Sequence, residues 1–320
     1  MLSEYKFKLD QKLDEFLLSL PSQEIYEPIK HIVGLGGKRF RSSVLLLITD
    51  LLNGDLNDAL DEAVAIELFH NFTLLHDDIM DNSMLRRGKK TVHHAWNTNI
   101  AILSGDVLMV YAYSHLANNK SKHLPDLLKL FNKTAVQLCE GQQLDMDFES
   151  KEIISVDKYL NMIKLKTSVL LGCALQFGAI IANSPIKKQS LIYDFGINLG
   201  LAFQIQDDIL DLYGDSEKIG KKIGGDILNN KKTILSVVAN KIANNYQKNK
   251  FLELSKIPDS NLKISKTTDF YNQLNVLDHC KKISKKYSDN AIACLNKCFS
   301  EQKSTNVLHQ LAADLLNRKH

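Results

Sequence analysis

A chain of 320 residues, 44% hydrophobic and 24% charged, can bury one large core, and a formal net charge of +3 is too weak to argue for nucleic acid. Five cysteines, an odd number without metal-like pairing, argue against a disulfide scaffold and fit a reducing cytosol. The N-terminus MLSEYKFKLDQKLDEFLL is charged and amphipathic rather than a signal peptide, and no apolar run of about 18 residues is read, so no membrane span is expected.

Only 5 Pro and 15 Gly are present, helical periodicity dominates, and no convincing alternating strand is found. The expectation is an all-α protein with a single domain over residues 1–320. Residues 3–20 read as a first helix, and Pro21 and Pro28 mark breaks. Gly34 to Arg41 (GLGGKRFR) is a Gly-rich turn that opens an apolar run over residues 42–52. Such a turn presents backbone N–H groups and the positive end of a helix, and Lys38, Arg39 and Arg41 add charge, so it reads as an anion cradle or as an ordinary basic loop. After the turn Asn53-Gly54-Asp55, a central helix is expected over residues 61–84, closed by Gly88.

Further along, residues 91–113 are mainly helical, with Ser104-Gly105-Asp106 placed for close packing. Residues 118–123 form a polar loop, 127–148 another helix, and 156–182 a long apolar helix carrying Lys164 and Lys166. A Lys in so apolar a stretch either snorkels to water or faces an anion. Residues 192–212 are a further helix. The Lys- and Gly-rich segment 218–233 reads as a surface loop or as a lid carrying lysines. Beyond residue 234 the text is helical with a Lys-rich break near 246–266, and residues 240–320 carry no chemical motif. Cys139 and Cys173 sit in apolar helical text and read as buried thiols; Cys294 and Cys298 lie four apart on a helix.

The chemistry concentrates in two acidic stretches. Asp77, Asp78 and Asp81 lie among Phe72, Leu75, Ile79 and Met80, and at about 3.6 residues per turn the first and third stack on one helix face. Asp207, Asp208 and Asp211 repeat the spacing inside a second apolar run. A lone cluster of this kind reads as a solvated face. Two such helices facing each other would hold six carboxylates whose repulsion calls for cations, and oxygen ligands without His or Cys suit Mg²⁺ better than Zn²⁺. Arg86 and Arg87 beside the first cluster read as ion-pair partners or as bidentate phosphate ligands. Glu67 and His70 form a lone Glu-x-x-His pair, but a di-iron bundle would need a second pair and a matching set of Glu.

Five blocks in order, GGKRFR at 36–41, HDDIMDNSMLRRG at 76–88, EGQQLD at 140–145, KT at 166–167, and FQIQDDILDLYGD with KIGGDILNNKKT at 203–233, resemble the trans-isoprenyl diphosphate synthases, the polyprenyl synthetases. The resemblance implies the all-α isoprenoid synthase fold with helices around a deep cavity, in a cytoplasmic homodimer. It implies a prenyltransferase in which an allylic diphosphate (dimethylallyl, geranyl or farnesyl) ionises and the cation is attacked by isopentenyl diphosphate. It also implies Mg²⁺, three ions per site, held by Asp77 and Asp81 on one wall and Asp207 on the other, with Asp78, Asp208 and Asp211 in support. Arg86, Lys166, Lys222 and Lys231 would hold the allylic diphosphate, and Lys38, Arg41, His70 and Arg87 the isopentenyl diphosphate. Thr167 and Gln204 would turn oxygen dipoles toward the carbocation.

Product length has its own expectation. Phe69, Phe72 and Thr73 share a helical stripe, and Phe72 lies roughly 7.5 Å below Asp77 along the axis. Phe72 is either ordinary core or the floor that stops the growing chain, and the small Thr73 favours C20 over C15. A terpene cyclase of the same fold would carry an Asn/Ser/Glu-type second metal motif and have little use for Lys38, Arg41 and Arg87. A non-catalytic partner subunit would be expected to lose one acidic motif, and both are intact here.

Overall fold

The computed structural model describes residues 2–118, 123–214, 223–299 and 302–316, and they are helical nearly throughout. In chain order the helices are α1 (Ser3–Ser19), α2 (Glu27–Gly34), α3 (Phe40–Leu51), α4 (Asn57–Met80), α5 (Val92–Ala95), α6 (Thr98–Asn118) and α7 (Leu124–Glu149). They continue with α8 (Val156–Ile163), α9 (Val169–Ile181), α10 (Ile186–Tyr213), α11 (Gly225–Leu228), α12 (Ile234–Ile242), α13 (Asn245–Ser255), α14 (Ser260–Gln273), α15 (Val276–Cys298) and α16 (Gln302–Leu316). The all-α expectation holds, and the acidic motifs fall on the two long helices α4 and α10. The chain forms two compact units, Met1–Lys133 with Cys173–Ser190, and Thr134–Gly172 with Leu191–His320.

In the first unit α4 packs on α3 and α6. It buries Ala63, Val64, Ala65, Ile66, Leu68 and Phe69 in succession, nearly all round, as a helix at the centre of a unit must. One charged pair is buried with them. Arg39 Nη1 donates to Glu67 Oε1 at 2.8 Å, Ser42 Oγ donates to Glu67 Oε2, and Arg39 Nη2 caps Val33 O. Arg39 is 6% exposed and Glu67 3%. Glu67 is thus spent on an ion pair, which removes the Glu-x-x-His metal reading. Truncating one partner strands the other charge in the core, so Glu67→Ala is expected to lower stability by about 3–5 kcal/mol, read from the urea unfolding midpoint.

Several expectations are corrected. The central helix ends at Met80, not 84: Asn82 turns left-handed (φ 48°), its N–H bonds Ile79 O, and Ser83 N–H bonds Asp78 O. This 6→1 and 5→2 closure stops the helix one residue before Asp81, and Asn tolerates the conformation. Gly88 therefore does not close the helix. With Arg87 (φ 52° and 77°) it makes the two-residue turn of a small hairpin pairing Leu85 with Lys90 and Arg86 with Lys89. The 246–266 break is mostly α13 and α14, whose N-caps Asn244 and Asp259 supply the start signals. Two helices, Thr98–Asn118 and Val156–Ile181, are long and apolar enough to cross a bilayer; 72% of the second's apolar window is buried, against 33% of the first's. Cys173 is buried as expected, but Cys139 is exposed.

In the second unit the core gathers Tyr159, Met162 and Val169 with Ile205 and Ile209 of α10, Val237 and Val238 of α12, and Phe270 and Val276. The long apolar helix read over 156–182 is interrupted by one turn of π-helix, Lys164–Ser168, marked by the bond from Val169 N–H to Lys164 O. The extra residue in that turn rotates Lys166 and Thr167 away from a regular helical register. Gly141 of α7 lies against it. A Cβ there would meet Lys166 N at 2.3 Å, so only glycine permits the approach.

Candidate active site

At the end of α4 the three aspartates do not crowd one patch. Asp78 is 2% exposed and turned onto Arg86, which donates from Nε and Nη2 to its two oxygens at 2.8 Å each. Arg86 also lies 3.8 Å from Asp77. Burial raises the Asp78 carboxyl above its ordinary range, opposed by the bonds from Arg86. Asp78 is thus the ion-pair partner of Arg86 in this structure. The half-buried Asp77 and Asp81 remain the ligand candidates of this unit.

Beside them sits a cationic cluster. Arg41 Nη1 lies 3.2 Å from His70 Nε2, and since a guanidinium only donates, the imidazole accepts there and is neutral. Burial, then Arg41, Arg87, Arg86 and Arg39, hold His70 well below its ordinary pKa. Arg87 is itself depressed by burial, then by Arg39. Its guanidinium fills the space beside Gly37 (φ 145°), where a Cβ would meet Nη2 at 2.7 Å. Lys38 is exposed on the same loop. Arginines this close repel unless an anion joins them. Phe72 is half-buried, its ring edge-on to His76 at 4.7 Å and tilted on Phe69 at 5.6 Å. Thr73 Oγ1 bonds His70 O one turn back.

In the second unit Lys166 Nζ donates to Asp145 at 2.6 Å, across the close approach that Gly141 allows. Thr167 Oγ1 donates to Gln204 Oε1 at 3.3 Å, and Gln204 Nε2 donates to Asp208 Oδ1 at 3.1 Å. Asp207 is exposed and Asp208 is 6% exposed, so the two adjacent carboxylates of α10 face opposite ways. Asp208 Oδ2 takes the Tyr159 hydroxyl and, at 2.8 Å, the Ile234 N–H. Burial pushes the Asp208 carboxyl up to about 7, while the bonds from Tyr159, Ile234 and Gln204 pull it back down. Both Asp208 oxygens thus accept from protein donors, Oδ2 from two and Oδ1 from one. Asp211 Oδ2 accepts Asp226 N–H at 3.1 Å. Lys231 lines a cavity with Asp226, Lys232 and Lys263. Lys222 lies outside the described residues.

Two participants carried no role in the sequence reading. Tyr159 sits in apolar text and looks like core, and nothing local reveals its hydroxyl's partner 49 residues away. Asp145 stands in the EGQQLD block, four residues after Gly141, which was its available signal. Among the described residues no three His, Cys, Asp or Glu side chains form a ready metal cage. Mg²⁺ does not need one, since it keeps several waters and binds through one or two carboxylates plus substrate phosphate. In each unit by itself the candidate donors, Asp77 with Asp81 and Asp207 with Asp211, are hard oxygens without imidazole or thiol among them, and donors of this kind fit the ion.

A family model described as polyprenyl synthetase matches residues 22–274. A short chain isoprenyl diphosphate synthase of Methanocaldococcus jannaschii is 40% identical over 249 residues, covering 76% of this chain and 75% of that one. A geranylgeranyl diphosphate synthase of Saccharolobus solfataricus is 37% identical over 300 residues, covering 90% and 89%. A crystal structure of a geranylgeranyl pyrophosphate synthase superposes with a TM-score of 0.94 at 39% identity, covering 100% of this chain and 99% of the other.

Proposed function

The chain belongs to the polyprenyl synthetase family, and we propose that as one domain, residues 1–320, it condenses isopentenyl diphosphate with an allylic diphosphate to a short trans-polyprenyl diphosphate, C20 ahead of C15. It is a trans-prenyltransferase. The allylic C–O bond breaks and pyrophosphate leaves. The isopentenyl double bond attacks the cation, and a proton passes to the departing pyrophosphate. Mg²⁺, three ions in this reading, would when bound supply charge to neutralise the leaving pyrophosphate. Asp77 and Asp81 would hold Mg²⁺ in the first unit, and Asp207 with Asp211 in the second. Lys166 and Lys231, with Lys222, orient the allylic diphosphate; Arg86 joins them by exchanging its Asp78 partner for phosphate oxygen. Lys38, Arg41, His70 and Arg87 take the isopentenyl diphosphate, and Thr167 and Gln204 aim oxygen at the cation.

The observation that carries the reading is the arginine cluster around neutral His70, partly answered by Glu67. A cyclase, with no second diphosphate to bind, has no use for it. Exposed Leu103 and Val110 on one face of α6, flanked by Ile102, support a homodimer in which a second copy covers them. The test is incubation with labelled isopentenyl diphosphate, each allylic starter and Mg²⁺, followed by chromatography. No elongated product from any starter refutes the proposal. A further expected result concerns Gly37. In Gly37→Ala the new methyl displaces the Arg87 guanidinium, so KM for isopentenyl diphosphate should rise about tenfold or more, as for a lost charge-assisted bond, with KM for the allylic partner unchanged.

A further inference from the structure

Asp208 closes a hydrogen-bond ring between two helices. Tyr159 of α8 donates to Asp208 on α10; Gln204, one turn earlier on α10, donates to the same carboxylate; Thr167 donates to Gln204; and Thr167 leads back through the π turn to α8. A third element is tied in at Ile234, the first residue of α12, whose N–H meets Asp208 Oδ2. Thr233 caps the same helix in a reciprocal box with Ser236, so that N–H is held at a fixed position.

The ring has a direction. With the Tyr159 O–H and the Ile234 N–H both donating to Oδ2, Oδ1 is the oxygen left to face Gln204, and the Gln204 Nε2 donates to it at 3.1 Å, so the amide end that meets Asp208 is the NH₂. The Gln204 oxygen is then turned to the Thr167 side, where the reading above places the carbocation. Nothing else in the ring distinguishes the two ends of that amide, because the Thr167 hydroxyl both donates and accepts.

We infer that Asp208 is a positioning residue: held by Tyr159 and the Ile234 N–H, it fixes the Gln204 amide so that its oxygen, not its nitrogen, faces the reacting cation. The inference rests on the prenyl-transfer reading of this site. It gives the two neighbours in the second acidic motif separate tasks, Asp207 toward metal and Asp208 toward the amide.

The decisive variant is Asp208→Asn. Its amide oxygen is claimed by Tyr159 and Ile234 at the Oδ2 position, so its NH₂ must occupy the Oδ1 position and face Gln204. Gln204 then has to flip, and an N–H dipole replaces oxygen beside the cation. The expected result is a fall in kcat of about 10²-fold, as for loss of one aligned dipole, with KM for both diphosphates and the half-saturating Mg²⁺ concentration within about twofold of the parent. In a Gln204→Leu background the same substitution should add almost nothing, because it acts only through that amide. Tyr159→Phe, which removes one oxygen at nearly constant volume, should lower kcat several-fold by loosening the carboxylate without reversing the amide. It supplies the same comparison against Gln204→Leu should Asp208→Asn fail to fold.

A tenfold higher Mg²⁺ requirement in Asp208→Asn, with kcat restored at saturating Mg²⁺, would make Asp208 a metal ligand and overturn the inference. Losses that multiply in the double variants would overturn it as well. An unmodified protein that elongates no allylic diphosphate would instead remove the underlying reading, so the two failures are distinguishable.

Discussion

Asp207→Ala is expected to lower kcat by about 10²–10³-fold while leaving the protein folded. Asp207 is exposed on α10, and among the described residues no hydrogen bond or ion pair to its side chain is found, so the substitution breaks no packing. It removes one of three like charges within a turn and a half and installs the best helix former, two changes that hold or slightly raise stability. A large loss of turnover in an unchanged fold is the signature of a group that works only in the transition state. Asp77→Ala should lose as much for the same reason, although its proximity to Arg86 also lets that arginine settle further onto Asp78. Steady-state rates over a Mg²⁺ titration, paired with thermal unfolding, make the measurement. Either variant within about tenfold of the parent rate at all Mg²⁺ concentrations would remove that carboxylate from metal binding.

How far the site was legible depends on the range of the interaction. The helical period and the two acidic spacings are local, and they placed Asp77 and Asp207 on long helices directly. The protein partners of the second aspartate of each motif were not legible, because they lie outside the motif. Asp78 is claimed by Arg86 across a hairpin that Asn82 initiates, and Asp208 by Tyr159 from another helix. Asp77 and Asp78 are equivalent by composition; burial separates them, and burial is set by the whole fold. The π turn was invisible for a similar reason. Lys164 to Ser168 has no Gly or Pro to announce it, and the turn is accommodated because Gly141 opposite lets another backbone come close. Membrane-grade hydropathy in α6 and over residues 156–181 shows the opposite limit. Composition alone does not separate a core helix from a spanning one, whereas the burial of the second does.

Phe72→Ala should shift the product distribution upward by at least one isoprene unit. Phe69 and Phe72 differ in kind. Phe69 is 1% exposed and locked edge-on to Phe131 at 4.9 Å, so it is wall. Phe72 is only half-buried, and its contacts with Phe69 and His76 support it from the side, leaving part of the ring open. Five residues before Asp77 on a continuous helix, it lies roughly 7.5 Å down the axis from the carboxylate proposed to anchor the diphosphate end through Mg²⁺. A chain growing along α4 meets that ring before Phe69, and cutting it to a methyl opens the path. Because Phe72 is not fully enclosed, the stability cost should be about 2 kcal/mol, below the 3–5 of a buried Phe→Ala change. The two roles then separate cleanly. If Phe72 is a floor, longer products accompany a modest drop in unfolding midpoint. If it is ordinary packing, the midpoint drops and the chromatogram is unchanged, which would move the length-setting residue elsewhere in the chain.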